Sequence, residues 1–280
     1  MTSTTLNSVA HCIRILSKKE GNFCISPFSL EGGVGFRNAE HKEETNGTKF
    51  WSYRQTWTGP PRPADDIQKW LMAHEALDIN IPERFPFCVD ITGLSGKWEN
   101  PFDKEDTEEA PFFVNPLSFR TRSSCLMMNM VDYFWHYVYS EFRVVKLPYA
   151  NGTTSMFVFL HDGDLGCCFT LGFIARAAQA ISDSLQPQQN LTETNLLLPK
   201  WSNFSTVETK FDQFHVRQLV KVEVDESGTE AKAQTTGYAA GACSMPKIAS
   251  FIANRPFLYL IYDTRYGVLF LGKIENPTKG

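Results

Sequence analysis

The stretch 220–236 constrains this chain most, because it keeps a period of two while its character changes halfway. Val220, Val222 and Val224 alternate with Lys221, Glu223 and Asp225, the pattern of a β-strand with one buried face. Beyond Gly228 the alternation persists, but one face holds only Thr229, Ala231, Ala233, Thr235 and Gly237, while the other holds Glu230, Lys232 and Gln234. Side chains that small bury too little apolar surface to hold a permanent core strand, yet they enter a narrow slot between strands at little steric cost. The segment reads as a strand waiting for a place in a sheet.

A sheet able to receive it needs a sizeable core. With 280 residues, 42% of them hydrophobic and 13% aromatic, the chain suits one large domain spanning 1–280 rather than a disordered polymer. The formal charge of -4, with Lys and Arg scattered, argues against the basic face that nucleic-acid binding requires. Cysteines stand at 12, 24, 88, 125, 167, 168 and 243 with no C-x-x-C pair and no His at metal spacing. An odd, irregular set predicts reduced thiols rather than a disulfide framework or a zinc site, and no metal or other cofactor is expected. The apolar stretch 6–16 is broken by His11 and Arg14 and predicts a short amphipathic helix, not a signal peptide. No apolar run is long enough to span a bilayer, so no membrane partner is expected. The expectation is therefore a cytoplasmic setting. Secretion is the alternative, since sequons stand at Asn46, Asn151, Asn190 and Asn203.

Along the chain, 22–30 leads into a helix with Ser26 as N-cap and Pro27 at the first helical position. Gly32, Gly33 and Gly35 keep that helix short, at about 1 kcal/mol each relative to Ala. Residues 38–63 read as polar and end at the breaker Gly59-Pro60-Pro61, and 65–77 predicts a helix capped by Asp65 or Asp66. Strands are predicted over 85–98, 127–140, 142–148, 154–161 and 195–201, a helix over 171–185, and a terminal hairpin from 257–262 and 268–273. Asn151-Gly152 marks a tight turn between two of those strands. The aromatic run 133–137, His136 included, reads as strand core and rim.

These landmarks, in their order, resemble the serpins. The resemblance rests on Asn22-Phe-Cys-Ile-Ser-Pro-Phe-Ser-Leu, Gly96-Lys-Trp-Glu-Asn-Pro-Phe with Glu109-Ala-Pro-Phe-Phe, Met127-Met, Leu147-Pro-Tyr with Ser155-Met-Phe-Val, and Leu198-Pro-Lys-Trp. Glu226-Ser-Gly-Thr-Glu-Ala, Arg255-Pro-Phe-Leu-Tyr-Leu-Ile and Leu269-Phe-Leu-Gly-Lys-Ile-Glu-Asn-Pro complete the series, which runs over nearly the whole chain. It implies an α+β serpin fold: a large main β-sheet, two smaller sheets, a set of helices and an exposed reactive-centre loop, here about 226–250. A protease takes that loop for substrate. After the acyl-enzyme forms, the loop inserts into the main sheet as a new strand and carries the protease away with its active site distorted. The chain would then be no enzyme but a suicide substrate, its partner a serine or cysteine protease. Ten or so new ladder hydrogen bonds at about 1 kcal/mol each would drive the insertion.

By the same resemblance the hinge comprises Glu226, Gly228, Thr229, Ala231, Ala233 and Thr235. Counting forward places the scissile bond at Ala242-Cys243, while counting backward from Pro256 favours Met245. The sheet-opening region maps to Ser26, Ser29, Asp90, Trp98 and Gln218. Where relatives place a hydrogen-bonded Asn and His, this chain has Asp90 and Gln218. A carboxylate can accept from a Gln amide, yet a buried Asp needs further donors or a raised pKa.

The chain departs from the family by being short. Between Leu30 and Gly96 there is too little sequence for the helices that cross in front of the main sheet, and a second deletion lies between Thr209 and Val216. The implied result is a reduced helix set, an outward sheet face that meets water, and no basic helix for heparin, hence no heparin dependence. Such reductions are similar to those of shortened poxvirus serpins, the myxoma group in particular, and imply a monomeric viral protein acting on a host protease. The rival reading is a non-inhibitory serpin, a binding or scaffold protein that has lost insertion. No G-x-S-x-G, H-E-x-x-H or G-x-x-x-x-G-K-[ST] motif supports an enzyme.

Overall fold

The apolar runs of the sequence become strands buried on both faces. Along β8 (Thr154–His161), Met156, Val158 and Leu160 pack into one core, while Phe157 and Phe159 pack into another. The structure is a computed structural model that describes residues 3–28, 38–58, 65–74, 86–115, 121–163, 165, 170–185, 191–211, 214–228 and 248–279. β8 sits inside a nine-stranded sheet ordered β1 (Phe23–Ile25), β14 (Gly267–Ile274), β13 (Phe257–Asp263), β8, β7 (Phe142–Pro148), β6 (Arg122–Val138), β9 (Leu191–Pro199) and β12 (Ala249–Ile252). β5 (Glu108–Phe113) pairs with the first part of β6. Residues 127–135 of the 17-residue β6 pair with β9, and its last four pair with β7. A strand of that length reaches about 55 Å. The two smaller sheets implied by the sequence are therefore one continuous ladder.

The second sheet has five strands in the order β10 (Trp201–Phe211), β11 (Phe214–Val224), β4 (Phe87–Ser95), β3 (Thr48–Trp57) and β2 (Ala39–Thr45). Every neighbouring pair is antiparallel except β11 and β4, which run parallel. Phe50, Leu94, Val220, Val222 and Val224 of this sheet meet Met156, Val158, Tyr259 and Phe270 of the larger one in a common core. Three helices, α1 (Ser3–Leu16), α2 (Asp65–Ala73) and α3 (Leu171–Ser184), are present among the described residues. Val9, Ile13 and Leu16 of α1 and Phe173, Ile174 and Ile181 of α3 bury the other face of the nine-stranded sheet. Thr170 caps α3, its Oγ1 accepting from the Phe173 N–H at 3.2 Å.

The sequence reading needs correction in three further places. Residues 38–63, read as merely polar, contain the β2–β3 hairpin. Its two-residue turn is Asn46-Gly47, with φ of 47° and 72°, the paired positive values a tight hairpin requires. Its inward side chains are Thr48, Phe50, Ser52 and Arg54, two of them polar and one charged, and this concealed the alternation. The outward face of the five-stranded sheet is also not left wholly to water. α2 lays Leu71 and Trp70 against Phe87, Val89 and Leu219, with Trp57 and Ile91 beside them, so one short helix covers the β4–β11 pair in part. At 22–30 a strand, β1, precedes the helical turn that begins at Pro27, and residues 29–37 lie outside the described residues.

Edge strand β2 is tied to the larger sheet. Tyr266 Oη donates to the Glu43 carboxylate at 2.7 Å, and Arg265 bridges Glu43 and Asp263. Asn203 is buried and donates to Tyr259 Oη at 3.4 Å, so this sequon is not surface. Among the described residues no helix is long and apolar enough to cross a membrane.

Candidate functional site

The parallel junction of β4 and β11 lies directly below the last described residues before 229. Pairing runs from His215 opposite Phe87 to Lys221 opposite Gly93 and stops there, although both strands continue. Val220, Val222 and Val224 are buried, and Lys221 is exposed, as the alternation requires. Above the last pair the chain closes a tight turn over 225–228: the Asp225 N–H donates to the Gly228 carbonyl at 2.9 Å and the Gly228 N–H returns to the Asp225 carbonyl at 3.2 Å.

That turn is held against the continuation of β4. The Trp98 N–H donates to the Ser227 carbonyl at 2.9 Å, its indole Nε1–H to the Asp225 carbonyl at 3.0 Å, and the Phe102 N–H to the Glu226 carbonyl at 2.8 Å. Trp98 itself is fixed by stacking on Tyr149, with ring centroids 4.6 Å apart. Glu226 is buried and pairs with Lys200 Nζ at 2.9 Å. Burial pushes the Glu226 carboxyl up, but the Lys200 ammonium, with backbone and Thr107 hydrogen bonds, outweighs it and holds the group below its usual range. Gly228 bridges to Lys97 at φ 123°, where a Cβ would lie 2.1 Å from the Gly96 carbonyl oxygen. Only glycine fits that approach.

Across the middle of the same sheet three polar side chains lie in register: Arg54 on β3, Asp90 on β4 and Gln218 on β11. All three are buried. Arg54 Nε donates to Asp90 Oδ1 at 2.6 Å and Nη2 to Oδ2 at 3.2 Å, a bidentate pair. Burial raises the Asp90 carboxyl to about 6 despite the guanidinium beside it. Gln218 clasps the backbone of Ser26, accepting from its N–H at 2.8 Å and donating to its carbonyl at 3.0 Å, and the Ser26 hydroxyl donates to the Leu269 carbonyl at 2.7 Å. The sequence paired Asp90 with Gln218 and asked for a further donor. That donor is Arg54, hidden in the stretch read as polar.

Of the residues singled out in the sequence, Ser26, Asp90 and Gln218 meet at the centre of the sheet, and Trp98, Glu226 and Gly228 meet at its end. Ser29, Thr229, Ala231, Ala233, Thr235, Ala242, Cys243 and Met245 lie outside the described residues. Arg54 was missed because a lone basic residue in a strand carries no local sign of its buried partner, and the motif that contains Lys200 gave no sign that it pairs with Glu226.

Comparison with known proteins gives a consistent result. The family described as Serpin (serine protease inhibitor) matches residues 87–210 and 189–277. Serpin-Z1 of Arabidopsis thaliana is 31% identical over 211 residues, covering 68% of this chain and 53% of that protein. Serine proteinase inhibitor 2 of Rabbitpox virus (strain Utrecht) is 26% identical over 246 residues, covering 70% and 64%. The chain spans about half the length of the first curated relatives it matches. Among solved structures the thermophilic serpin Tengpin in its native state superposes with a TM-score of 0.73, covering 99% of this chain and 95% of that one. At 14% identity this likeness shows the shared fold alone.

Proposed function

The chain belongs to the serpin family, and from that premise we propose that it inhibits a protease as a suicide substrate, its loop of about 226–250 being cut and then inserted between β4 and β11. The observation that carries this reading is the ending of the β4–β11 ladder at Gly93 and Lys221, with the turn at 225–228 rising from that same opening. The bridge between Gly228 and Lys97 supports a new strand starting from this point. A strand entering there gains ladder bonds on two sides in exchange for one set broken, and the small face of Thr229, Ala231, Ala233 and Thr235 suits a closely packed interior.

The scissile bond is Ala242-Cys243, with Met245 as the alternative, and the target is a serine or cysteine protease. Heparin plays no part, and the chain acts as a monomer. Kinship with shortened poxvirus serpins is supported by the short internal stretch between Leu30 and Gly96 and by the 26% identity to the rabbitpox protein, and it points to a host protease as target. A reducing compartment suits the buried thiols of Cys24, Cys88 and Cys125, which form no disulfide.

The test is incubation with a panel of serine and cysteine proteases. A covalent complex that survives SDS, together with a higher melting temperature for the nicked chain than for the intact one, is expected. Cleavage with no complex and no change in melting would sink the inhibitory reading and leave a binding or scaffold role.

A further inference from the structure

A cavity of about 440 Å³ opens where β6, β7 and β8 meet the C-terminal end of α3, and Trp98, which holds the 225–228 turn, is among the residues that line it. That volume falls in the range that holds a small organic molecule. Register sets its chemistry. Trp135 on β6 lies opposite Lys146 on β7, which lies opposite Phe157 on β8, so the three side chains share one face with neighbouring Cβ atoms about 5 Å apart. All three line the cavity, and the Trp135 and Phe157 rings meet edge to face with centroids 6.5 Å apart.

Two donors there are unspent. The half-buried Lys146 ammonium gives one hydrogen bond, to the Ser184 carbonyl at 3.2 Å, and forms no ion pair among the described residues. The indole N–H of Trp135, a residue only 5% exposed, is buried without a hydrogen-bond partner in the structure. Native interiors rarely leave such a donor unmet. The acidic side chain that lines the cavity is Glu99, which is solvent-exposed. Around the mouth the apolar side chains of Tyr133, Leu185 and Leu191 are 63%, 45% and 56% exposed.

We propose that this cavity binds a small organic carboxylate with a flat apolar body. The Lys146 ammonium and the Trp135 N–H receive the carboxylate, and Phe157, Tyr133 and Leu185 receive the ring. The Lys146 ammonium, whose only nearby carboxylate among the described residues is the exposed Glu99, favours an anion beside the unmet N–H, and aromatic walls with exposed apolar rims favour a ring that covers them.

Titration calorimetry of the full chain with 1-naphthoate tests this, with 1-naphthalenemethanol as the uncharged counterpart. One saturable site is expected for the acid, with the alcohol bound at least tenfold more weakly, the size expected for losing a hydrogen bond to a charged group. Lys146→Met should weaken the acid at least tenfold and leave the alcohol unchanged. Trp135→Phe, which keeps a ring and removes the donor, should also weaken the acid, and circular dichroism confines both readings to folded protein. Absence of saturable naphthoate binding, equal affinity for acid and alcohol, or wild-type affinity in the folded variants would overturn the proposal. No protease is present in these titrations, so their outcome is independent of the inhibitory reading.

Discussion

At the scale of single residues, the Arg54–Asp90 pair decides how the centre of the sheet tolerates charge. Breaking a buried ion pair from one side leaves the other charge uncompensated, so Arg54→Met is expected to cost about 3–5 kcal/mol in urea unfolding, and adding Asp90→Leu should restore most of it. The pair also sets a pH dependence. The Asp90 carboxyl titrates near 6 in the folded chain against an ordinary 3.8. A raised carboxyl stabilises the fold below its ordinary value, and that contribution is lost as pH rises through about 6. The unfolding free energy of the wild type should therefore fall relative to Asp90→Asn by about 3 kcal/mol between those limits. Flat difference curves across that window would show that Asp90 is not the titrating group. Gly228 is the other single residue on which the site turns. Its φ of 123° and its closeness to Gly96 mean that Gly228→Ala must displace the turn, at about 1–3 kcal/mol, with faster hydrogen exchange at the Trp98 amide.

At the scale of elements, strands with continuous apolar runs were legible and strands carrying polar cargo were not. β7 and β8 occupy the ranges the sequence predicted: β8 is apolar toward both cores, and β7 buries Phe142, Val144, Val145 and Leu147 around its two basic residues. The β2–β3 hairpin escaped notice because its inward face holds Thr48, Ser52 and Arg54, whose presence makes sense only once Asp90 and Thr92 stand opposite on β4. Helix α2 was legible as a helix, but its place on the outward face was not, since Leu71 and Trp70 find Phe87, Val89 and Leu219 only in three dimensions. The candidate site divides the same way: Trp98, Glu226 and Gly228 were marked by motif, whereas Arg54 emerges from register and the Lys200–Glu226 pair only from the fold. Because Leu71 is fully buried in that cover, Leu71→Ala should destabilise the chain by about 3 kcal/mol in a denaturant melt. An effect below about 1 kcal/mol would mean that α2 contributes little to holding the sheet.

At the scale of the whole molecule, buried thiols offer a measure of how tightly the fold is closed. Burial pushes Cys24 and Cys88 up to about 12 and Cys125 up to about 11, so at pH 8 they react with a thiol reagent only when the structure opens. If cleavage lets the loop enter the sheet, these cysteines should label more slowly in the nicked chain than in the intact one, by orders of magnitude at equal temperature. Equal rates would argue against insertion. The tie between Glu43 and the Arg265–Tyr266 corner bears on how fast such a change can happen. Admitting a strand between β4 and β11 moves the β2 flank away from the β10 flank by one strand spacing, about 4.8 Å, farther than any hydrogen bond stretches. The β2 flank is moored at Glu43 and the β10 flank at the Ser26–Gln218 clasp, so one mooring must be cast off before the gap can form. Glu43→Gln slackens the first, and on the inhibitory reading such a chain should trap a protease sooner without being any less complete when the reaction ends.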